Sequence, residues 1–192
     1  MAAYRRRLGQ CYYNLGRLLD ATERHEEAEQ SFRKAIETMT QLAEDFPDVS
    51  SYNRAASWYL ATCPCEDLRN PRAAVELAKK AAEREPKAGE SWKELGVAQY
   101  RAGNFSESIA ALHKSLALNC AEQAASMFFL ATAHWELGEQ EQARKCYDQA
   151  LRWMEKNKRE GEELGRFHRE AAELLGMTIP PGAPDDSTTS NE

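Results

Sequence analysis

Nothing in this sequence of 192 residues approaches the roughly 18 to 20 consecutive apolar residues of a membrane span, and no charged, apolar and small-residue succession opens it. A chain without span or signal is expected in the cytoplasm. Cysteine is scarce and odd in number: Cys11, Cys63, Cys65, Cys120 and Cys146 are scattered along the chain. They make no disulfide framework for a protein of this size and are expected to stay reduced. Blocks of positive charge are missing too. Acidic and basic residues alternate with a net charge of −6, which leaves no electrostatic footprint for a nucleic-acid backbone. Catalytic signatures are absent as well: there is no phosphate-binding glycine loop, no Gly-x-Ser-x-Gly elbow, no His-Glu-x-x-His and no kinase catalytic loop. The expectation is a protein that is no enzyme, needs no cofactor or metal, and touches neither nucleic acid nor membrane.

What is there suits one soluble domain. Apolar residues make up 42% of the chain and charged residues 29%, enough for a chain of this length to bury about two thirds of its unfolded surface. Aromatics and leucines recur through the first 176 positions, so disorder is expected only in the tail of residues 177–192, which is acidic, rich in Pro, Ser, Thr and Asp, and has almost nothing to bury.

Internal repetition decides the architecture. The series Trp92, Leu95, Gly96, Tyr100, Gly103 is followed by Ile109, Leu112 and Leu116, and a second copy runs Leu130, Ala131, Trp135, Gly138, Ala143, Tyr147, Ala150. Gly96 and Ala131 lie 35 residues apart. Leu15 and Gly16 with Ala28, Phe32 and Ala35 give a third copy. Tyr52, Ala56, Tyr59, Ala74, Ala78, Ala81 and Pro86 give a fourth. Each unit holds two apolar stripes at helical spacing broken by a turn, such as Ala102-Gly103-Asn104 or Leu137-Gly138-Glu139, which describes a helical hairpin. The glycine admits a left-handed C-cap, and the polar neighbour offers an N-cap for the second helix. Asn70-Pro71 supplies N-cap and first helical residue in the second unit.

These residues resemble the tetratricopeptide repeat, whose pattern over about 34 residues is a bulky residue, Leu-Gly, an aromatic, then Ala, a bulky residue, Ala and Pro. The resemblance spans most of the chain and implies an all-α fold, a right-handed α–α superhelix (a tetratricopeptide-repeat solenoid) of about four hairpins. The hairpins are expected over residues 5–47, 48–87, 88–121 and 122–157, a capping helix over 162–175 with Gly176 as its stop, and the whole solenoid over 1–176. Small residues (Gly16, Ala56, Gly96 and Ala131 in the first helices; Ala28, Ala74, Ser108 and Ala143 in the second) fall where two helices approach most closely. Two departures stand out. The second helix of the first unit runs on through Met39, Leu42 and Phe46 to Pro47, and the loop from Thr62 to Asn70 is long and expected to project. Leu60 to Pro64, Ala73 to Ala82 and Phe128 to Trp135 are similar to repeats in C-terminal arrays of large bacterial proteins that carry a kinase domain or propeller repeats. The first helix, Met1-Ala2-Ala3-Tyr4 onward, has no N-cap, which leaves open that the chain is the end of a longer protein.

Smaller features are weighed against plain packing. Cys63-Pro64-Cys65 brings two thiols close, as zinc or redox chemistry would, but lacks the second pair that structural zinc wants. His25, His113, His134 and His168 fall in separate helical units and are expected on the surface or in packing, His134 at the family's aromatic position. Arg5-Arg6-Arg7 is expected to be a solvated helix face. Asn104-Phe105-Ser106 fits a glycosylation acceptor with no secretion signal beside it.

Function is expected on the concave face that the first helices of such an array line. The resemblance places Gln10, Tyr13, Arg17, Asn53, Ser57, Lys93, Tyr100, Arg101, Phe128, Thr132 and Trp135 there, with Phe128 and Trp135 equally able to pack against the next hairpin. Such a mixture suits an extended peptide or a helix. Some family members clamp a ligand's C-terminal carboxylate with lysines, arginine and asparagines. Here the matching positions hold Tyr13, Arg17, Arg54, Glu90 and Glu94, and the two acids would repel a carboxylate. The sequence therefore reads as an interaction module, a scaffold for a protein or peptide partner, monomeric or weakly self-associating through its first hairpin. The alternatives are a regulatory or targeting C-terminal segment of a multidomain bacterial serine/threonine kinase, and a metal or redox protein using the Cys63/Cys65 loop.

Overall fold

The computed structural model describes residues 1–159 and 161–178; the expected tail lies almost wholly outside them. Within the described residues the chain is nine α-helices and one 3-10 turn, with no strand. It divides into two compact units. The first, residues 1–84, holds α1 (Ala2–Ala21), α2 (His25–Asp45), α3 (Ser50–Thr62) and α4 (Pro71–Arg84); the second, from residue 85, holds α5 (Gly89–Arg101), α6 (Phe105–Ala117), α7 (Gln123–Glu136), α8 (Gln140–Asn157) and α9 (Glu162–Leu175). Helices α1 and α2, α3 and α4, α5 and α6, and α7 and α8 pack as pairs.

Turn chemistry sets where the hairpins reverse. Gly103 and Gly138 both sit at φ +78°, the left-handed region that glycine adopts without strain. The first hairpin has no glycine at this point and Glu23 takes φ +58° instead, held by Thr22, whose hydroxyl donates to the carbonyls of Leu18 and Leu19 at 3.0 Å each. Asn70 caps α4 as the sequence indicates, accepting from the Ala73 amide at 3.2 Å. Asn104 does not cap α6. Its side-chain amide instead donates to Gln99 Oε1 at 2.7 Å, so the polar neighbour of the turn glycine tethers the two helices rather than closing one.

Contact explains the small residues. A Cβ added to Gly16 would sit 2.7 Å from the Phe32 ring, and one on Gly96 would sit 2.5 Å from Leu112 Cγ. Both distances are well inside van der Waals contact, so a larger residue would force the helix pair apart. Where the backbones come this close, buried serines finish the seam: Ser57 Oγ donates from α3 to the Ala74 carbonyl of α4 at 2.9 Å, and Ser108 Oγ from α6 to the Gly96 carbonyl of α5 at 2.8 Å.

The long α2 buries Met39 and Leu42 near its end and stops at Asp45, with Phe46 half-exposed as its C-cap. The 62–70 loop does not project, against the expectation. Cys63 is fully buried beside Tyr13, Leu19 and Phe32, with Cys65 and Leu68 packed on the same cluster. Arg69 Nε donates to the Cys63 carbonyl at 2.8 Å and the Asn70 amide to the Leu60 carbonyl at 3.0 Å. An apolar cysteine and a leucine in an otherwise polar loop are what draw it inward. At the other end, α9 buries Phe167, Ala171, Ala172 and Leu175, packs chiefly on α7, and stops at Gly176, φ +64°.

Candidate functional site

The first helix of each hairpin carries the residues expected to face a ligand, and the structure divides them into two kinds. In the first unit, Gln10 is exposed and Arg17 half-buried. Tyr13, Asn53 and Ser57 are buried. Tyr13 stacks on Tyr59 with ring centres 4.3 Å apart and meets the edge of Phe32 at 5.4 Å. Asn53 Nδ2 donates to the Pro47 carbonyl at 2.8 Å, holding the connection into α3. These three side chains bind the unit together. Polarity alone did not reveal it, because the hydrogen-bond partners of Asn53 and Ser57 are backbone groups 6 and 17 residues away.

In the second unit, Lys93, Phe128 and Thr132 are buried, while Tyr100, Arg101 and Trp135 are partly buried, the Arg101 side chain only 10% exposed. Phe128 packs on Tyr147 and His168, so the packing alternative describes it. Thr132 donates to the Phe129 carbonyl at 3.0 Å. Lys93 reaches Glu90 at 2.9 Å and Glu122 at 3.3 Å. Burial alone would pull its pKa down, but the charge and hydrogen bond of Glu90, then Glu122 and Glu94, outweigh it and raise the pKa. The ligand-facing cation that the resemblance implied is instead a buried lysine held by acids, of which Glu122 is exposed and Glu90 half-buried.

Arg101 is the organising residue of the partly buried surface. Its guanidinium forks onto both carboxylate oxygens of Glu170 on α9, one bond measuring 2.7 Å, and lies 5.5 Å from the centre of Tyr100 and 5.3 Å from that of Phe129. Tyr100 meets Phe129 edge-on at 5.5 Å. Phe128, Phe129, Thr132, Phe167 and Glu170 line a shallow recess beside it. Glu170 and Phe167 were not among the expected site residues. The amphipathic pattern of α9 marked it only as a cap, and a pairing 69 positions away leaves no local signal.

The thiols and imidazoles are structural in their surroundings. Cys65 hydrogen-bonds with Cys63, and burial followed by the charges of Asp20, Glu29 and Asp67 pushes its pKa up. That is the reverse of the thiolate a reactive cysteine needs. Three of the four histidines do meet polar partners: His25 the Asp20 carboxylate at 3.0 Å, His134 the Glu139 carboxylate, and His168 the Tyr147 hydroxyl at 2.7 Å. No group of three potential metal ligands occurs among the described residues.

His168 has a consequence that can be measured. Burial, with the charge of Arg169 second, lowers its pKa, so the unfolded chain binds its proton more readily than the folded one. Stability from this source is present above the unfolded value of about 6.5 and is lost as pH falls below it toward the folded value. The thermal midpoint of the protein is expected to drop between neutral pH and about pH 5, and less steeply in His168→Gln. Equal slopes would show that α9 does not sense this proton.

Comparison with known proteins follows the same lines. Models described as tetratricopeptide repeat match residues 9–38, 66–119 and 94–156. No curated protein sequence matches. Among solved structures, a thermophilic tetratricopeptide-repeat protein of Thermus thermophilus aligns with TM-score 0.54 at 17% identity, covering 88% of this chain and 100% of that one. A variant of a putative kinesin light chain of Podosopora anserina with nearly identical repeats aligns with TM-score 0.56 at 16% identity, covering 90% and 88%. MamA aligns with TM-score 0.52 at 19% identity, covering 79% and 92%. At such identities the likeness speaks for the fold alone, which is all-α and of the solenoid type. With hairpin pairing, close-approach glycines and repeat models in agreement, the chain belongs to the tetratricopeptide-repeat family.

Proposed function

We propose that the chain is a protein-interaction scaffold that holds a peptide or partner domain against its first helices and catalyses nothing. The observation that carries this reading is the largely buried but solvent-reaching platform of Arg101 and Tyr100 over Phe129. Interface hot spots favour tyrosine, whose ring offers large contact area with few degrees of freedom to lose, and arginine, whose greater rotamer freedom is here already restricted by its fork to Glu170. The α5 surface is not a carboxylate clamp. Glu90, Glu94 and Glu122 surround the one lysine on this helix, so a neutral or basic segment fits better than an acidic C-terminus.

Affinity capture from a cell extract, run with the wild type beside Tyr100→Ala with Trp135→Ala, tests this. A partner held by the wild type and lost by the variant, with the helical circular dichroism of the two unchanged, is the expected result. Equal capture by both would remove the site from the first helices.

A further inference from the structure

The sequence of α8 does not invite one more hairpin onto it. At the positions where α6 has Ile109 and His113, the latter against the His134 ring of α7, α8 has Arg144 and Asp148, both exposed. A helix that continued the array would lie against α8 as α7 lies against α6. Instead α9 packs chiefly on α7, and it meets α8 through the hydrogen bond of His168 with the Tyr147 hydroxyl. The side of α7 that it covers is the one assigned above to a ligand. Phe128 stacks on His168 with ring centres 5.3 Å apart, Phe129 meets Phe167 at 5.0 Å, and Thr132 shares its recess with Phe167 and Glu170. Glu170 reaches on to α5, where its two carboxylate oxygens accept the fork of Arg101.

These are the contacts of a docked amphipathic helix. Phe167, Glu170, Ala171 and Leu175 stand on one face at helical spacing, so an aromatic anchor, a carboxylate three positions on and two apolar residues enter the surface together. The joint that carries α9 there is lightly held: α8 ends in Lys158 at φ +48°, and a Cβ built on Gly161 would meet nothing within 4 Å. We propose that α9 is a built-in occupant of the ligand face of the second unit, and that the partner bound there is an amphipathic helix with an aromatic residue and a carboxylate three positions on, which takes the place of α9. The proposal rests on the scaffold reading and gives its ligand a chemistry. The one carboxylate goes to Arg101, at the other end of α5 from Glu90 and Glu94, so the rest of the segment remains neutral or basic. While α9 is seated, the apparent affinity for such a partner is lowered by the fraction of molecules in which the face is open.

The test uses the full chain and a fluorescent peptide of residues 162–176. Phe167→Ala with Glu170→Ala, which loosens the seat of α9, should bind the peptide about tenfold or more tightly than the wild type does. Adding Arg101→Glu should abolish that gain, and a peptide carrying Glu170→Arg should restore it. Hydrogen exchange of the wild type needs no variant: the amides of α9 should exchange through an opening that leaves α5 to α8 protected. Equal affinity of wild type and double variant, both with unchanged helical circular dichroism, would overturn the proposal. So would exchange of α9 only on unfolding of the whole second unit. A partner captured from extract equally well by the two proteins would overturn the role of α9 and leave the scaffold reading in place. Peptide binding as expected, with no partner captured by either, would support the docking surface and count against the scaffold reading.

Discussion

Lys93→Glu is expected to destabilise the second unit by about 2 to 4 kcal/mol, less than the loss of a fully buried charge pair because Glu90 and Glu122 keep 27% and 61% of their side-chain surface exposed. The variant would place a fourth carboxylate among Glu90, Glu94 and Glu122, in a site where Lys93 is 5% exposed. Lys93→Met, which removes the cation without adding an anion, should cost less. Because the folded pKa of Lys93 is raised, its contribution in the wild type is complete below the unfolded value of about 10.4 and is lost as pH rises through the folded value. Destabilisation of the wild type in alkali and partial recovery of the variant in acid, where carboxylates protonate, follow from the same charges. Urea unfolding of the three proteins measures all of this. A loss below about 0.5 kcal/mol for Lys93→Glu, the range of ordinary surface changes, would show that Lys93 is solvated in solution.

Phe32→Ala should be comparably damaging to the first unit, at about 3 to 5 kcal/mol. Phe32 has no exposed surface, meets Tyr13 edge-on, and fills the space directly over Gly16. The alanine would leave a cavity at the centre of the cluster that also holds Ala35, Leu19 and Cys63. Gly16→Val alone should destabilise by overpacking, since its Cβ would lie 2.7 Å from the Phe32 ring. Combining Gly16→Val with Phe32→Ala should cost less than the two single losses added together, because the new side chain enters the space that the ring leaves. Strict additivity in a double-mutant cycle would contradict the contact.

Particular residues show why one part of this molecule could be read from its sequence and another could not. The turn glycines Gly103 and Gly138, the Asn70-Pro71 cap and the Gly176 stop act within a few residues of themselves, so their neighbours announce them. Gly16 and Gly96 were legible through the period, which names the positions where helices touch. Burial of polar side chains was not. Lys93 is satisfied in part by Glu122, 29 residues on, and Arg101 by Glu170, 69 residues on. Periodicity places both cations on first helices, but only packing shows that both side chains are largely enclosed and which acids they meet. The 62–70 loop misled for a related reason. Its length and polarity suggested projection, while Cys63 and Leu68 were free to join an apolar cluster contributed largely by other helices.

If the first helices are the recognition surface, hydrogen–deuterium exchange with a captured partner bound reports it most directly. Added protection concentrated in α5 and α7, with the strongest change around Tyr100 and Arg101, is the predicted result. Protection confined to α6, α8 or the 62–70 loop would place recognition elsewhere and contradict it.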